Sequence, residues 1–299
     1  MKKLISLFIT AALTIVSASA QDILSTEDMN SIYKKDRRHG KRVQQYAPLR
    51  EADVMWSRKI WREIDLRQKI NHPFYYPEND GIAHTIDDRK SLIDVIYSAI
   101  QEGSITAYGN AGMDDEMRVP MTQEEIKSIG GAKEEIIEVI DWEAVALGAD
   151  PEEAKTLKAK KIPFNRNSIK KWRLKEEWFF DKQRSVMDVR IIAIAPLQEN
   201  RDEVTGQLLG GFSPLFWVHF PEARKVLINA EVFNLVKNDA ERRTYDDIFW
   251  KRMFGSTIIE QSNVMDRKVS EYKVGLDALL EAESIKTEIF HLEHDMWEY

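Results

Sequence analysis

The sequence contains no cysteine among its 299 residues. Disulfides, thiol nucleophiles, cysteine metal ligands and lipid attachment through cysteine are therefore excluded. The chain also lacks an excess of positive charge, since 43 Lys and Arg stand against 50 Asp and Glu, for a net charge of −7. An acidic protein is a poor general binder of nucleic acid, because Lys and Arg supply most of the affinity for the phosphate backbone. We therefore expect no nucleic-acid partner.

Long apolar runs are also missing, apart from one at the N-terminus. Lys2 and Lys3 precede an uncharged segment at 4–16, and residues 18–20 give the Ala-Ser-Ala pattern of a signal-peptidase site. The apolar segment is shorter than the ~20 residues needed to span a bilayer, which argues against the alternative of an uncleaved anchor. Residues 1–20 are thus predicted to be a secretory signal peptide, and the mature protein is expected in the periplasm.

Charge is unevenly distributed along the mature chain. Residues 31–70 contain twelve basic and five acidic side chains, whereas the rest of the mature chain contains 29 basic and 45 acidic ones. Residues 21–49 are polar and are predicted to form an extended basic arm. One hypothesis is that this arm binds the acidic body of a second copy, and the alternative is a solvated basic segment. The hypothesis rests on six residues: Lys34, Lys35, Arg37, Arg38, Lys41 and Arg42.

Residues 50–148 are predicted to form a mostly helical N-terminal region. A spacing of four joins three large apolar residues: Trp56, Ile60 and Ile64. This spacing is typical of one face of a helix, so we expect a helix over about 53–70. An apolar stripe at 92–100 predicts a second helix. Thr122 followed by Glu125 forms a capping box that predicts a third.

A Lys-, Glu- and Ala-rich segment at 149–161 is the predicted linker to an α+β region over 162–299. Four large apolar residues there share even spacing: Trp172, Leu174, Trp178 and Phe180. This period of two predicts a strand, although Glu176 interrupts the pattern. Continuous apolar runs at 189–195 and 215–220 predict further strands. The whole chain is therefore predicted to be α+β, with antiparallel strands in its second half.

A long C-terminal helix is predicted from about Leu276. Apolar residues recur along it at spacings of three and four: Ala278, Ala282, Ile285, Ile289, Leu292 and Met296. Two interpretations of this seam stay open, because most amphipathic helices pack inside their own domain, whereas some bind another subunit. The interaction hypothesis rests on the last four of these residues.

The sequence offers little catalytic chemistry. Paired carboxylates at 87–88, 114–115 and 246–247 suggest the acid/base pair of a glycosidase, but the first and last pairs also lie at predicted helix starts, where the helix dipole favours negative charge. His291 and His294 lie three apart and match no metal-protease motif. We therefore assign no catalytic residue, metal ligand or cofactor site. A secreted carbohydrate-active hydrolase that uses paired carboxylates is the alternative function.

Several stretches resemble the GldN and PorN family of gliding-motility and secretion proteins. These stretches are DVMWSRKIWR at 53–62, IDLR at 64–67, NHPFYYP at 71–77, KWRLKEEWFFDKQRSVM at 171–187, RTYDDIFWKRM at 243–253, GLDALLEAE at 275–283 and EHDMW at 293–297. The resemblance extends over most of the mature chain and is weakest at 21–49 and 149–161.

The resemblance implies a non-enzymatic periplasmic subunit of the type IX secretion system of Bacteroidetes, required for protein secretion and gliding. In that family, copies assemble into a ring beneath the outer membrane together with an outer-membrane lipoprotein, GldK or PorK. The ring meets the periplasmic part of the motor protein GldM or PorM. Contact with the membrane is thus expected only through partners, and the family has no catalytic motif to transfer to this chain.

Overall fold

The structure is a computed structural model, and it describes residues 41–78, 89–109, 115–131, 133–140, 155–162, 164–201, 207–233, 238 and 241–296. The strands of these residues are β1 Val54–Asp65, β2 Ala107–Tyr108, β3 Lys133–Ile140, β4 Lys155–Ile162, β5 Ile169–Asp181, β6 Val186–Arg201, β7 Leu208–Pro214, β8 Trp217–His219 and β9 Thr257–Gln261. Seven of them form one sheet in the order β2-β8-β6-β5-β1-β9, with β7 also paired to β6. Strands β3 and β4 form a separate two-stranded sheet. All the pairings are antiparallel.

The α-helices of the described residues are α1 His72–Tyr75, α2 Leu92–Gln101, α3 Gln123–Ser128, α4 Phe220–Leu227, α5 Tyr245–Trp250, α6 Val269–Tyr272 and α7 Leu276–Asp295. Side-chain caps fix the starts of three of them, α2, α3 and α5. The Ser91 hydroxyl accepts from the Asp94 backbone N–H before α2, and the predicted capping box of Thr122 and Glu125 is confirmed before α3. Within the described part of the chain, none of the helices is both long enough and apolar enough to cross a membrane.

Helices cover one face of the seven-stranded sheet. Side chains alternate along β1 and β5, which places Ile60, Ile64 and Trp172 on this face. Ile64 and Trp172 pack with α2, α4 and α5 in the main core, while Ile60 packs with α6 and α7 in a smaller cluster. A third cluster contains the buried Trp217 and the partly buried Trp61, whose odd position on β1 places it on the opposite face.

The prediction of a mostly helical N-terminal region is wrong over its first part. Residues 53–70 were expected to be helical, but Val54–Asp65 is strand β1 and lies between β5 and β9. A spacing of four is also a multiple of two, so the apolar residues of this segment share one face of a strand as readily as one face of a helix. Eleven paired positions with β5 decide between these outcomes.

The α+β class, the antiparallel strands and the long C-terminal helix are confirmed. Strand β5 contains the four alternating apolar residues, and β6 contains the run at 189–195. The division of the chain into regions stays a prediction. Strand β4 occupies 155–162 and therefore most of the predicted linker, and β1 joins strands of the second region in one sheet.

Candidate interaction surface

The first ten described residues, 41–50, form no helix or strand and lead through a short 3₁₀ turn into β1. Two of the six basic residues predicted to bind a second copy lie here. Lys41 Nζ is 3.6 Å from Asp247 Oδ2 of the same chain, whereas Arg42 is exposed. The other four lie outside the described residues: Lys34, Lys35, Arg37 and Arg38. The role of all six in binding another copy stays a prediction.

Tyr46 anchors this segment to the body. Its ring stacks on Trp250, with the centroids 5.2 Å apart and the planes at 23°. The guanidinium carbons of Arg224 and Arg190 lie 4.6 and 5.1 Å from the Tyr46 ring centroid, within the range of cation–π attraction. Arg190 Nη2 also donates to the Ala47 carbonyl over 2.6 Å. We call Arg190, Arg224, Asp247 and Trp250 the arm seat.

Two adjacent elements hold the arm seat in place. Arg224 on α4 and Asp246 on α5 form a buried ion pair, in which Nε and Nη2 donate to the two carboxylate oxygens over 2.7 and 3.2 Å. Helix α5 begins with a capping box, since Thr244 and Asp247 each accept from the other's backbone N–H. The charged and aromatic groups that meet Tyr46 are therefore fixed by contacts of the body itself.

Burial keeps the Tyr46 phenol neutral. It raises the pKa of Tyr46 above its ordinary value, while the positive charge of Arg224 acts in the opposite direction and by less. The neutral ring is the form that stacks on Trp250 and receives the two guanidinium groups. This contact should therefore persist throughout the physiological pH range.

A cavity of about 510 Å³ lies beside Tyr46, between the arm and the body. Three arginines line it, and each has an acidic partner. Arg184 pairs with Asp181 over 2.7 Å, Arg252 pairs with Glu176 over 2.9 Å, and Arg224 has the buried pair described above. Because these charges are balanced, the cavity is not equipped to hold an anionic ligand. Its walls instead connect the arm segment to the sheet and to α5.

The inner face of α7 packs within its own chain. Ile285 and Ile289 are only 2% and 4% exposed, and they share a cluster with Ile60 of β1, Ile258 of β9 and Val269 of α6. These two residues of the predicted interaction set therefore serve the core. Leu292 and Met296 are half-buried at the end of the helix. Their role in binding a partner stays a prediction.

The outer face of α7 carries apolar side chains that the predicted seam did not include. Four of them are more than half exposed: Leu276, Leu279, Leu280 and Phe290. Val274, just before the helix, is exposed as well. Apolar groups concentrated in this way at an exposed position are typical of surfaces that bind other proteins. This exposed apolar surface could have been predicted from the sequence, because these residues are apolar and lie away from the seam.

The carboxylate pairs have structural contacts wherever the structure describes them. Asp246 is in the buried ion pair, and Asp247 caps α5. Asp115 accepts from Trp61 Nε1 over 2.8 Å and lies 3.1 Å from Lys175 Nζ. The partners at 87, 88 and 114 lie outside the described residues. Within the part of the chain that the structure covers, no three His, Asp or Glu side chains are grouped so as to hold a metal ion.

Sequence reasoning missed the aromatic and arginine residues of the arm seat. The prediction for the arm considered only the charge of its basic residues, whereas the ring contacts with the body are made by Tyr46. An isolated aromatic residue in a polar segment could have marked the anchor, since burial of an aromatic ring contributes more than a surface ion pair. Its partners, Arg190, Arg224 and Trp250, lie more than 140 positions away and could not be assigned from sequence.

A comparison with curated proteins finds no match. The model of one protein family does match, and its description is gliding motility associated protein GldN. The match covers residues 49–298, which include all of the strands and helices described above. It also includes the stretches that carry the resemblance in the sequence. The chain therefore belongs to the GldN family of gliding-motility-associated proteins.

Proposed function

We propose that this chain is a structural, non-enzymatic subunit of the periplasmic ring of the type IX secretion system, where it serves protein secretion and gliding motility. The family match over residues 49–298 is the observation that carries the proposal, because the family is associated with gliding motility. The ring, the secretion role and the absence of catalysis are parts of the proposal that go beyond the family description.

The described surfaces favour binding of protein over catalysis. Exposed leucines and Phe290 on α7 offer apolar area to a partner. A retaining or inverting glycosidase needs two free carboxyl groups about 5–10 Å apart across a cleft. Asp115, Asp246 and Asp247 are instead bound to Trp61 and Lys175, to Arg224 and to Thr244, respectively. The hydrolase alternative therefore receives no support from these residues.

The proposal places the mature chain in the periplasm. The signal-peptide pattern at 1–20 supports export, and the absence of cysteine excludes lipid attachment through that residue. Attachment to the outer membrane would then come from the lipoprotein partner, GldK or PorK. The periplasmic part of GldM or PorM would bind the ring from the side of the inner membrane.

Purification of the assembly from cells tests this function. A tagged copy expressed in place of the chromosomal gene should co-purify with the lipoprotein, and the complex should appear as rings in electron micrographs. Deletion of the gene should abolish secretion of type IX cargo, and the tagged copy should restore it. In a strain without the lipoprotein, the chain should move from the outer-membrane fraction to the soluble periplasmic fraction. Normal secretion in the deletion strain, or a chain isolated only as a monomer, would overturn the proposal.

A further inference from the structure

Strands β3 and β4 form a two-stranded sheet of their own, which we call the ribbon. Lys133–Ile140 and Lys155–Ile162 pair over eight positions, from Lys133 opposite Ile162 to Ile140 opposite Lys155. Neither strand pairs with any other strand of the described residues, so both outer edges of the ribbon are unpaired within that part of the chain. A two-stranded sheet is marginally stable in water, and free edges are ready templates for further strands. The ribbon therefore has backbone groups available for another chain.

The two strands carry opposite charges. Strand β3 contains three glutamates and one lysine, at 134, 135, 138 and 133. Strand β4 contains four lysines and no acidic residue, at 155, 158, 160 and 161. In the register of the ribbon, Glu134 is opposite Lys161 and Glu135 is opposite Lys160. One edge of the ribbon is thus formed by an acidic strand and the other by a basic strand.

We infer that ribbons of neighbouring copies pair head to tail, with β4 of one copy against β3 of the next. In the same register, Lys161 would lie between Glu134 of its own chain and Glu134 of the next copy. Opposite charges on paired strands are favourable, and like charges directly opposite are unfavourable. A two-fold contact would put β4 against β4 or β3 against β3 and bring like charges together. The charge pattern therefore selects the head-to-tail arrangement.

Head-to-tail contacts use two different surfaces of each copy, and they generate either closed rings or open filaments. Addition of a strand to a free edge is an established mode of association, in which backbone hydrogen bonds supply affinity. A copy that has joined through one edge of its ribbon still offers the other edge. The charge of that edge is opposite to the charge of the edge by which the next copy joins. The inference rests on the proposed ring function and names the contact between its copies.

A charge-exchanged variant tests the inference. It combines Glu134→Lys, Glu135→Lys and Glu138→Lys with Lys158→Glu, Lys160→Glu and Lys161→Glu, so that the net charge and the charge pairing within the ribbon are kept. Alone, it should assemble as the parent does. In a mixture with differently labelled parent, copies should separate into distinct assemblies, because a mixed contact opposes like charges at two positions, 134 with 161 and 135 with 160, and should be about tenfold weaker. Random mixing within single assemblies, measured by two-colour imaging, would overturn the inference.

Single cysteines test the register, and the natural absence of cysteine removes background. Glu135→Cys copies mixed with Lys160→Cys copies should give disulfide-linked dimers that contain one copy of each. The product should be lost when either variant is replaced by the parent. Dimers of one variant with itself, in excess over the mixed product, would indicate two-fold pairing and overturn the inference. If parent chains form rings but neither test gives the expected result, only the ribbon contact is refuted, whereas failure of the parent to form rings with its partners refutes the proposed function.

Discussion

The buried ion pair beneath the arm seat allows a stability prediction with a defined size. Arg224 is 2% exposed and Asp246 is 6% exposed, and two hydrogen bonds of 2.7 and 3.2 Å join them. Asp246→Ala leaves the Arg224 guanidinium in the same buried position without its counter-charge. Removal of one partner of a buried pair typically lowers the free energy of unfolding by about 3–5 kcal/mol. We expect a loss of this order, which is a large fraction of the stability of an ordinary domain.

Two neighbours reduce the cost and place the expectation near the lower end of that range. The guanidinium carbon of Arg224 is 4.6 Å from the Tyr46 ring centroid and 4.9 Å from that of Trp250. Each ring continues to attract the cation after the carboxylate is removed, by about 0.5–2 kcal/mol. The double variant Arg224→Met with Asp246→Leu removes both charges together. It should be more stable than Asp246→Ala, because no unpaired charge remains in the core, and less stable than the parent only by the loss of the two cation–π contacts.

Urea unfolding followed by tryptophan fluorescence measures these differences. The matched control is Glu283→Ala, which removes an exposed ion pair with Lys286 whose atoms are 2.9 Å apart. Exposed ion pairs of this kind contribute little to the free energy of unfolding, so the urea midpoint of Glu283→Ala should equal that of the parent. An Asp246→Ala protein as stable as the control would refute the reasoning, because it would mean that Arg224 reaches water without cost.

Three further predictions concern the arm, the C-terminal helix and pH. Tyr46→Ala should release residues 41–50 and raise the rate of tryptic cleavage after Arg42 roughly tenfold, because stacking and cation–π contacts together are worth about 1–3 kcal/mol. Ile285→Ala should lower the free energy of unfolding in urea by about 2–5 kcal/mol, since it opens a cavity in the cluster beneath α7. The Arg67 hydrogen bond lowers the pKa of Asp65 in the folded protein. The stabilisation by this hydrogen bond is therefore complete above the ordinary Asp pKa of about 3.9, and it is lost as pH falls through the lower pKa of Asp65 in the folded protein. Melting temperatures measured between pH 6 and pH 2 should show this loss.

Each of these has a control and a contrary result. For the arm, Arg42 cleavage that stays as slow as in the parent would mean that Tyr46 does not hold the segment. For the helix, Leu279→Ala on the exposed face should change stability little, and an equal loss in both variants would contradict the assignment of Ile285 to the core. For pH, Asp65→Asn should lack part of the acid-induced loss, and an unchanged pH profile would contradict the role of the Arg67 contact.

The parts of the fold that sequence predicted well are those in which one periodicity stands alone. Strand β5 has apolar pairs two residues apart, at 172 and 174 and at 178 and 180, which one helix face cannot hold, and the seam of α7 repeats at three and four, which one strand face cannot hold. Segment 54–65 failed because its spacing of four satisfies both periods. The choice was made by hydrogen bonds to β5 and β9, which lie more than 100 residues further along the chain. The local spacing of apolar residues contains no information about partners at such distances along the chain.

The same limit explains the arm seat and the one polar residue that interrupts β5. Glu176 seemed to break a strand, yet it is fully buried and receives both hydrogen bonds of Arg252 at 2.9 and 3.0 Å. Sequence shows that a carboxylate lies on an apolar face, but not that a cation 76 positions away compensates it. Charge asymmetry likewise suggested that the arm binds another copy, which stays a prediction, and it gave no indication of Tyr46. The sequence can indicate that a charged or aromatic side chain needs a partner, but only the fold shows which residue that partner is.

The six basic residues of the arm and the backbone edges of the ribbon should respond differently to salt. Lys41 and Asp247 are partly exposed and 3.6 Å apart, so that pair alone is worth about 0–1 kcal/mol. The predicted binding by the arm would therefore depend on many charges together, whose range falls from about 30 Å at 0.01 M salt to about 3 Å at 1 M. Backbone hydrogen bonds between ribbons are not screened in this way.

Changing all six residues to Ser should weaken assembly at 0.01 M salt, where the variant should fall towards the level that the parent shows at high salt. The assembly that remains should change less between the two conditions than that of the parent, because only the Glu–Lys pairs of the ribbon are then screened. Light scattering over a salt series measures both effects, and a variant that assembles as well as the parent at 0.01 M would show that the arm is a solvated segment.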